Sequence, residues 1–254
     1  MNFVIVTGAS RGLGEGIVKE LIKENALIIC ISRTKNNELI RLSKINDCIL
    51  EYYEFDLLNL NKIPILADEI FSKNYPVSLS SISLINNAGT LTPIKPIDKA
   101  EPADIINNFN LNIIAPALLT SLFIKHTSNF DVEKRVINIS SGAASKPYFG
   151  WSCYSSSKSA LEAFGKCVSV EQQNNNFKII SFVPGVIDTE MQAQIRSASR
   201  ADFKDLDRFL GLKNDGKLFT PEYVASKLVE ILKKKDIKNG DVINIKDLCP
   251  ELES

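Results

Sequence analysis

Two hydrophobic rhythms alternate along this chain. Short, nearly continuous apolar runs recur near 2–7, 26–31, 49–55, 82–85, 135–139, 177–183 and 241–246. Between them, apolar residues return every three or four positions, as in Ile17, Val18, Leu21 and Ile22, and again in Ala160, Leu161, Phe164, Cys167 and Val168. The first pattern fits strands buried on both faces of a parallel sheet, and the second fits helices with one buried stripe. Their alternation predicts an α/β fold: a single-domain Rossmann fold over 1–254, with a doubly wound seven-stranded parallel sheet and helices on both faces. Further helices are expected near 36–45, 60–73, 102–126 and 221–234, with a loop at 90–101 that holds Pro93 and Pro96. Pro116, inside the 102–126 helix, predicts a kink that frees a backbone carbonyl near Asn112. Residues 190–220 read as polar and irregular, apart from an amphipathic piece with Phe203, Leu206, Phe209 and Leu210. A long excursion after a strand's carboxyl end predicts a lid over a site.

Bulk composition narrows the partners. Lys plus Arg equals Asp plus Glu at 30 each, so nothing points to a nucleic acid or a charged membrane surface. No continuous apolar run reaches the length of a membrane span, and the first residues read as a strand instead of a signal segment. Five cysteines, none in Cys-x-x-Cys spacing, suggest reduced thiols in a cytoplasm. The single histidine, His126, rules out a multi-histidine metal cage and is expected at the surface near a helix end. No metal is expected.

Candidate chemistry begins at the first strand's end. The turn Gly8-Ala9-Ser10-Arg11-Gly12-Leu13-Gly14 links strand to helix and presents helix N-terminal amides to a pyrophosphate. Its spacing is Gly-x-x-x-Gly-x-Gly, unlike the Gly-x-Gly-x-x-Gly of the long dehydrogenases. The second strand leads into Arg33, where NAD-specific folds usually carry an acidic residue for the ribose hydroxyl. An arginine suits a 2′-phosphate, and Arg11 could close on it from the other side, so NADP(H) is the expected cofactor. Asp56-Leu57 follows the third strand, and Asn87-Ala88-Gly89 follows the fourth with small residues that leave room for a cofactor. The fifth strand ends at Ser140-Ser141.

Tyr154 and Lys158 stand one helical turn apart, thirteen residues beyond Ser141 (154 − 141). An ammonium beside a phenol is expected to draw its pKa down toward the working range of a proton donor. After the sixth strand comes Pro184-Gly185-Val186-Ile187-Asp188-Thr189. Phe149 and Trp151 precede the tyrosine and Met191 opens the lid, offering flat apolar surfaces suited to a phenyl ring.

In this order and spacing, TGASRGLG, NNAG, Asn112, NISSG, YSSSK and PGVIDT resemble the short-chain dehydrogenases/reductases over essentially the whole chain. Within that family, LINNAGTLTPIKPIDKAE, KRVINISSGAASKPYFGWSCYSSSK, PGVIDTEMQAQIRS and LDRFLGLKNDGKL resemble the sepiapterin reductase-like enzymes, and most of all the bacterial benzil reductases that form (S)-benzoin. The resemblance implies that Tyr154 donates a proton to a carbonyl oxygen that Ser141 positions. Lys158 would bind the nicotinamide ribose, and Asn112 would hold a water linking Lys158 to solvent. Thr189 and the Val186 backbone would hold the carboxamide, while Asp56 and Asn87 line the adenine-side groove. The implied activity is NADPH-dependent reduction of one carbonyl of an aromatic vicinal diketone to the (S)-hydroxyketone, by a homodimer joined through the helices near 102–126 and 155–171. Two alternatives stand beside it. Asp247 lies about where sepiapterin reductases carry a pteridine-anchoring acid, so reduction of a pteridine side-chain ketone is the first. A non-catalytic NADP-sensing protein is the second, although such a protein usually lacks the serine, tyrosine or lysine kept here.

Overall fold

The computed structural model describes residues 1–24, 26–73, 78–173 and 176–248. Its seven strands are β1 (Asn2–Thr7), β2 (Leu27–Ser32), β3 (Leu50–Glu54), β4 (Ser81–Asn86), β5 (Glu133–Ile139), β6 (Phe177–Val183) and β7 (Val242–Asn244). All pair in parallel, in the order β3-β2-β1-β4-β5-β6-β7. The chain winds outward from β1 to β3 and then returns to place β4 on the other side of β1. The switch point lies between β1 and β4, where an open parallel sheet leaves a crevice at its carboxyl edge.

Nine helices are described: α1 (Gly12–Lys23), α2 (Asn37–Ile45), α3 (Ile63–Ser72), α4 (Pro102–Phe109), α5 (Ala115–Thr127), α6 (Ser152–Glu171), α7 (Glu190–Arg196), α8 (Leu206–Asn214) and α9 (Pro221–Lys233). One face of the sheet buries Val4, Val6, Ile28 and Ile180 against Ile17 and Leu21 of α1, Leu39 of α2 and Leu228 of α9. The other buries Phe3, Ile5, Ile29 and Ile179 against Ile63 and Leu66 of α3, Leu119 and Phe123 of α5, and Val168 of α6. Alternate residues of one strand thus serve opposite cores, which is why the strands read as nearly unbroken apolar runs.

Three expectations change. The 102–126 helix is α4 and α5 joined by a π-helical turn at Asn110–Ile114. Pro116 has no N–H to give the Asn112 carbonyl, and the local helix widens there. Together these pieces make a helix long and apolar enough to cross a membrane by length and composition alone; here its Leu119 and Phe123 pack into the sheet core. His126 is half-buried instead of exposed: its ring stacks on Phe71 with centroids 5.0 Å apart, and Nε2 lies 3.2 Å from Asp68. The 190–220 segment is also more ordered than its polarity suggests. It contains α7 and α8, and its base is closed by a bridge between Ile187 and Phe219.

Candidate active site

At the carboxyl edge of the sheet the switch point opens into a cleft of about 980 Å³. Every backbone element that borders it ends there for a local reason. Gly8 has φ +67°, and a Cβ on it would meet Ala88 Cα at 3.0 Å, so the turn after β1 can lie against the β4 turn only without a side chain. Gly14 is tighter: an added Cβ would lie 2.1 Å from the Gly8 carbonyl oxygen. The Asn87 side chain ties these turns together, donating to the Thr7 and Gly8 carbonyls at 2.8 and 3.2 Å. Asn87 therefore builds the wall in addition to lining it.

Gly8, Ser10, Arg11, Gly12, Leu13, Gly14, Arg33, Asp56, Leu57, Asn87, Ala88, Gly89, Pro184, Gly185, Val186 and Thr189 all line the cleft, as do Ser141, Tyr154 and Lys158. The cradle of backbone amides and the absence of Cβ atoms at Gly8 and Gly12 fit a dinucleotide pyrophosphate. The two arginines differ. Arg33 is exposed and has no ion-pair partner among the described residues, whereas Arg11 is paired with Glu190 at the start of α7. Asn36, which the sequence reading missed, caps α2 and also donates to the Ser10 carbonyl at 3.0 Å, docking the loop after β2 onto the glycine turn.

The catalytic candidates converge from three elements. Ser141 follows β5 and caps a 3₁₀ turn at Gly142–Ala144, its Oγ accepting from Ala143 N at 3.2 Å. Tyr154 and Lys158 project from the first turns of α6, both buried. Asn112 sits in the π turn, where its Oδ1 accepts from Thr90 N at 2.8 Å and its Nδ2 donates to the Thr90 carbonyl at 2.9 Å and Ser157 Oγ at 3.0 Å. It thereby locks α6 to the loop after β4.

The Tyr154 shift runs opposite to the direction expected from the neighbouring ammonium alone. Burial pushes the Tyr154 phenol above its ordinary pKa, and the Ser141 hydroxyl offsets this only in part. Burial also lowers Lys158 to about 8, while the Glu162 carboxylate one turn further along α6 pulls the other way. The Lys158 ammonium lies 5.8 Å from the Tyr154 ring centroid and donates to the Ile139 carbonyl at 2.7 Å. For both groups desolvation by the surrounding protein is the largest cause. Glu162 accepts from Ser140 Oγ at 2.5 Å, which joins the loop carrying Ser141 to α6. Its spacing from Lys158 was a readable signal that went unused.

The outer wall is aromatic. Trp151 is buried, and its ring centroid lies 4.7 Å from Phe203, 5.0 Å from Tyr148, 5.4 Å from Phe209 and 5.5 Å from Tyr154. Trp151 and Met191 line the cleft as expected, and Tyr148, Phe209 and Arg208 join them. Phe149 does not: it is exposed, its ring lies under the Lys204 ammonium at 4.3 Å, and it stands outside the cleft. The positive φ of Gly150, between Phe149 and Trp151, turns the chain so that the two side chains part. Asp247 is likewise exposed and outside the cleft, although its neighbour Lys246 lines it. Two polar atoms of this wall, Trp151 Nε1 and Gln192 Oε1, are buried without a hydrogen-bond partner.

Comparison with known proteins agrees with this geometry. The chain is 45% identical to the benzil reductase ((S)-benzoin forming) of Bacillus cereus, over 96% of this chain and 99% of that protein. It is 27% identical to the sepiapterin reductase of Rattus norvegicus, over 96% of each chain. The crystal structure of the KRED1-Pglu enzyme superposes with a TM-score of 0.82 at 28% identity, over 96% of this chain and all of that one. With the short chain dehydrogenase model matching residues 2–200 and Ser141, Tyr154 and Lys158 gathered in its crevice, this chain belongs to the short-chain dehydrogenase/reductase family and is an oxidoreductase.

Proposed function

We propose that the protein is an NADPH-dependent carbonyl reductase that reduces one carbonyl of aromatic vicinal diketones, such as benzil, to the (S)-hydroxyketone. The observation that carries this reading is the meeting of Ser141 and Tyr154 with an aromatic wall of Trp151, Tyr148 and Phe209 in one cleft. The likeness to a benzil reductase over nearly the whole chain supports the substrate class. Tyr154 is the proton donor to the carbonyl oxygen. Its raised pKa keeps it protonated at neutral pH, so the proton to be donated is in place. Ser141 holds that oxygen, and the aromatic wall orients the aryl groups and excludes water. The glycine turn, Asp56, Val186 and Thr189 would hold the dinucleotide, whose nicotinamide supplies the hydride when bound. Arg33 favours the 2′-phosphate of NADP(H) over NAD(H) because a free guanidinium at that rim has no competing carboxylate.

The segment around α7 and α8 acts as the lid, closing over the site from the base pinned by Ile187 and Phe219. We place the active unit in the cytoplasm as a homodimer. Ala160, Ala163 and Val170 of α6, with Ile106 and Ile114 on the other helix, form the exposed apolar face for a second copy. The deciding experiment follows benzil at the nicotinamide absorbance and resolves the product by chiral chromatography. A single enantiomer with NADPH is expected. Racemic hydroxyketone, or no turnover of any diketone, would overturn the proposal.

A further inference from the structure

The substrate end of the cleft carries a cation that the reduction of a bare diketone does not need. Arg208, on α8, lines the cleft and donates from Nη1 to the Tyr148 hydroxyl at 2.7 Å. Its guanidinium carbon lies 5.8 Å from the Tyr148 ring centroid and 5.6 Å from that of Phe209, which fixes the fork between two aromatic rings. Three basic residues of this segment are held by carboxylates: Arg200 by Asp207, Lys213 by Asp188 and Lys217 by Asp215. Lys204 lies over the Phe149 ring, and neither it nor Arg196 lines the cleft. Arg208 has no such partner among the described residues. Beside it, the buried Trp151 Nε1 is a donor without an acceptor, and Trp151 touches the Tyr148 ring that Arg208 bonds. The wall also buries an orphaned acceptor, Gln192 Oε1. What singles out this end is therefore the charge and planar fork of Arg208, free of any carboxylate, with the Trp151 donor beside it, a set suited to an oxyanion. Of the acidic residues bordering this end of the cleft, Asp188 and Glu190 are already paired, which leaves Asp104 on α4.

We propose that Arg208, with Trp151, forms a subsite for an anionic group at the far end of the substrate, so that the preferred substrates are aryl ketones or diketones bearing a carboxylate remote from the reacting carbonyl. This rests on the carbonyl-reductase reading above and sharpens its substrate class. Two ring contacts, Tyr148 to Trp151 and Trp151 to Tyr154, separate Arg208 from the proton donor, so the anion sits across an aryl ring from the carbonyl.

The test compares 4-carboxybenzil with its methyl ester, which keeps the diketone and removes the charge. Two readouts are taken: kcat/KM with NADPH, and Kd from quenching of Trp151, the only tryptophan of the chain. The wild-type protein should favour the carboxylate by roughly 10- to 100-fold, the scale of one charge-assisted contact. Arg208→Gln should bring that ratio to near one, and Arg208→Lys should keep part of it, since a point charge replaces the fork. Rising salt should erode the wild-type ratio. Because each ratio is taken within one protein, a general loss of fold cancels. A wild-type ratio near one, or a ratio that survives Arg208→Gln, overturns the subsite. If no diketone is turned over, the reductase reading fails, while the quenching ratio still decides the subsite.

Discussion

Lys158→Met isolates the energetics of the site. The Lys158 ammonium is buried, and burial lowers its pKa from 10.5 to about 8. Between these values the unfolded chain holds a proton that the folded chain has released, so stability contributed by this residue rises with pH across that window. Below pH 8 the penalty is fully present and amounts to about 3 kcal/mol, by the equivalence of pKa and free energy. Methionine keeps the length and apolar stem but cannot titrate. It also leaves the Ile139 carbonyl without its 2.7 Å donor, a loss that does not depend on pH in this range. The informative quantity is therefore the change with pH in the gap between the two proteins. From pH 7 to pH 9, wild-type stability should gain roughly 1–1.5 kcal/mol on the variant. Urea unfolding of both cofactor-free proteins at the two pH values measures it, and the other titrating groups are common to both. A gap that stays constant from pH 7 to 9 would refute the claim that Lys158 is desolvated in the folded protein.

Three further predictions concern named contacts. Tyr154→Phe removes the proton donor without altering the glycine cradle, so turnover should fall by about 10²–10⁴-fold while NADPH binding, read by nucleotide fluorescence, persists; near-normal turnover would reject the assignment. Arg33→Asp should weaken or reverse the preference for NADPH over NADH, because it removes an attraction and adds a repulsion; equal use of both nucleotides by the unaltered protein would contradict the reading of Arg33. Trp151→Ala removes a ring that touches four aromatic neighbours and should cost about 3–5 kcal/mol in urea unfolding as well as loosening stereocontrol; a loss below about 1 kcal/mol would mean that this cluster is not the packed unit described.

The sheet and the inner half of the site were legible because they depend on neighbours in sequence. Apolar runs mark buried parallel strands, Gly8 to Gly14 mark a turn that brings backbone to backbone, and the spacing of Tyr154 and Lys158 puts them on one helical face. Pro116 likewise announced a local break, because a missing N–H is a covalent fact. Tertiary structure decided what depends on surroundings. The direction of the Tyr154 shift follows from how deeply the phenol is buried, which no spacing encodes. Phe149 and Trp151 are two residues apart and equally aromatic, yet Gly150 turns one into the cleft wall and leaves the other under Lys204. Arg11 and Arg33 look alike as cations until Glu190, far along the chain, takes one and leaves the other free. Arg208 gains its place only when α8 folds back over Tyr148. Local spacing fixes which atoms can meet within a turn, whereas burial and charge pairing are set by distant segments. The sequence therefore carried the cofactor cradle and the Ser-Tyr-Lys set, and only the packed molecule decided the electrostatics and the substrate wall.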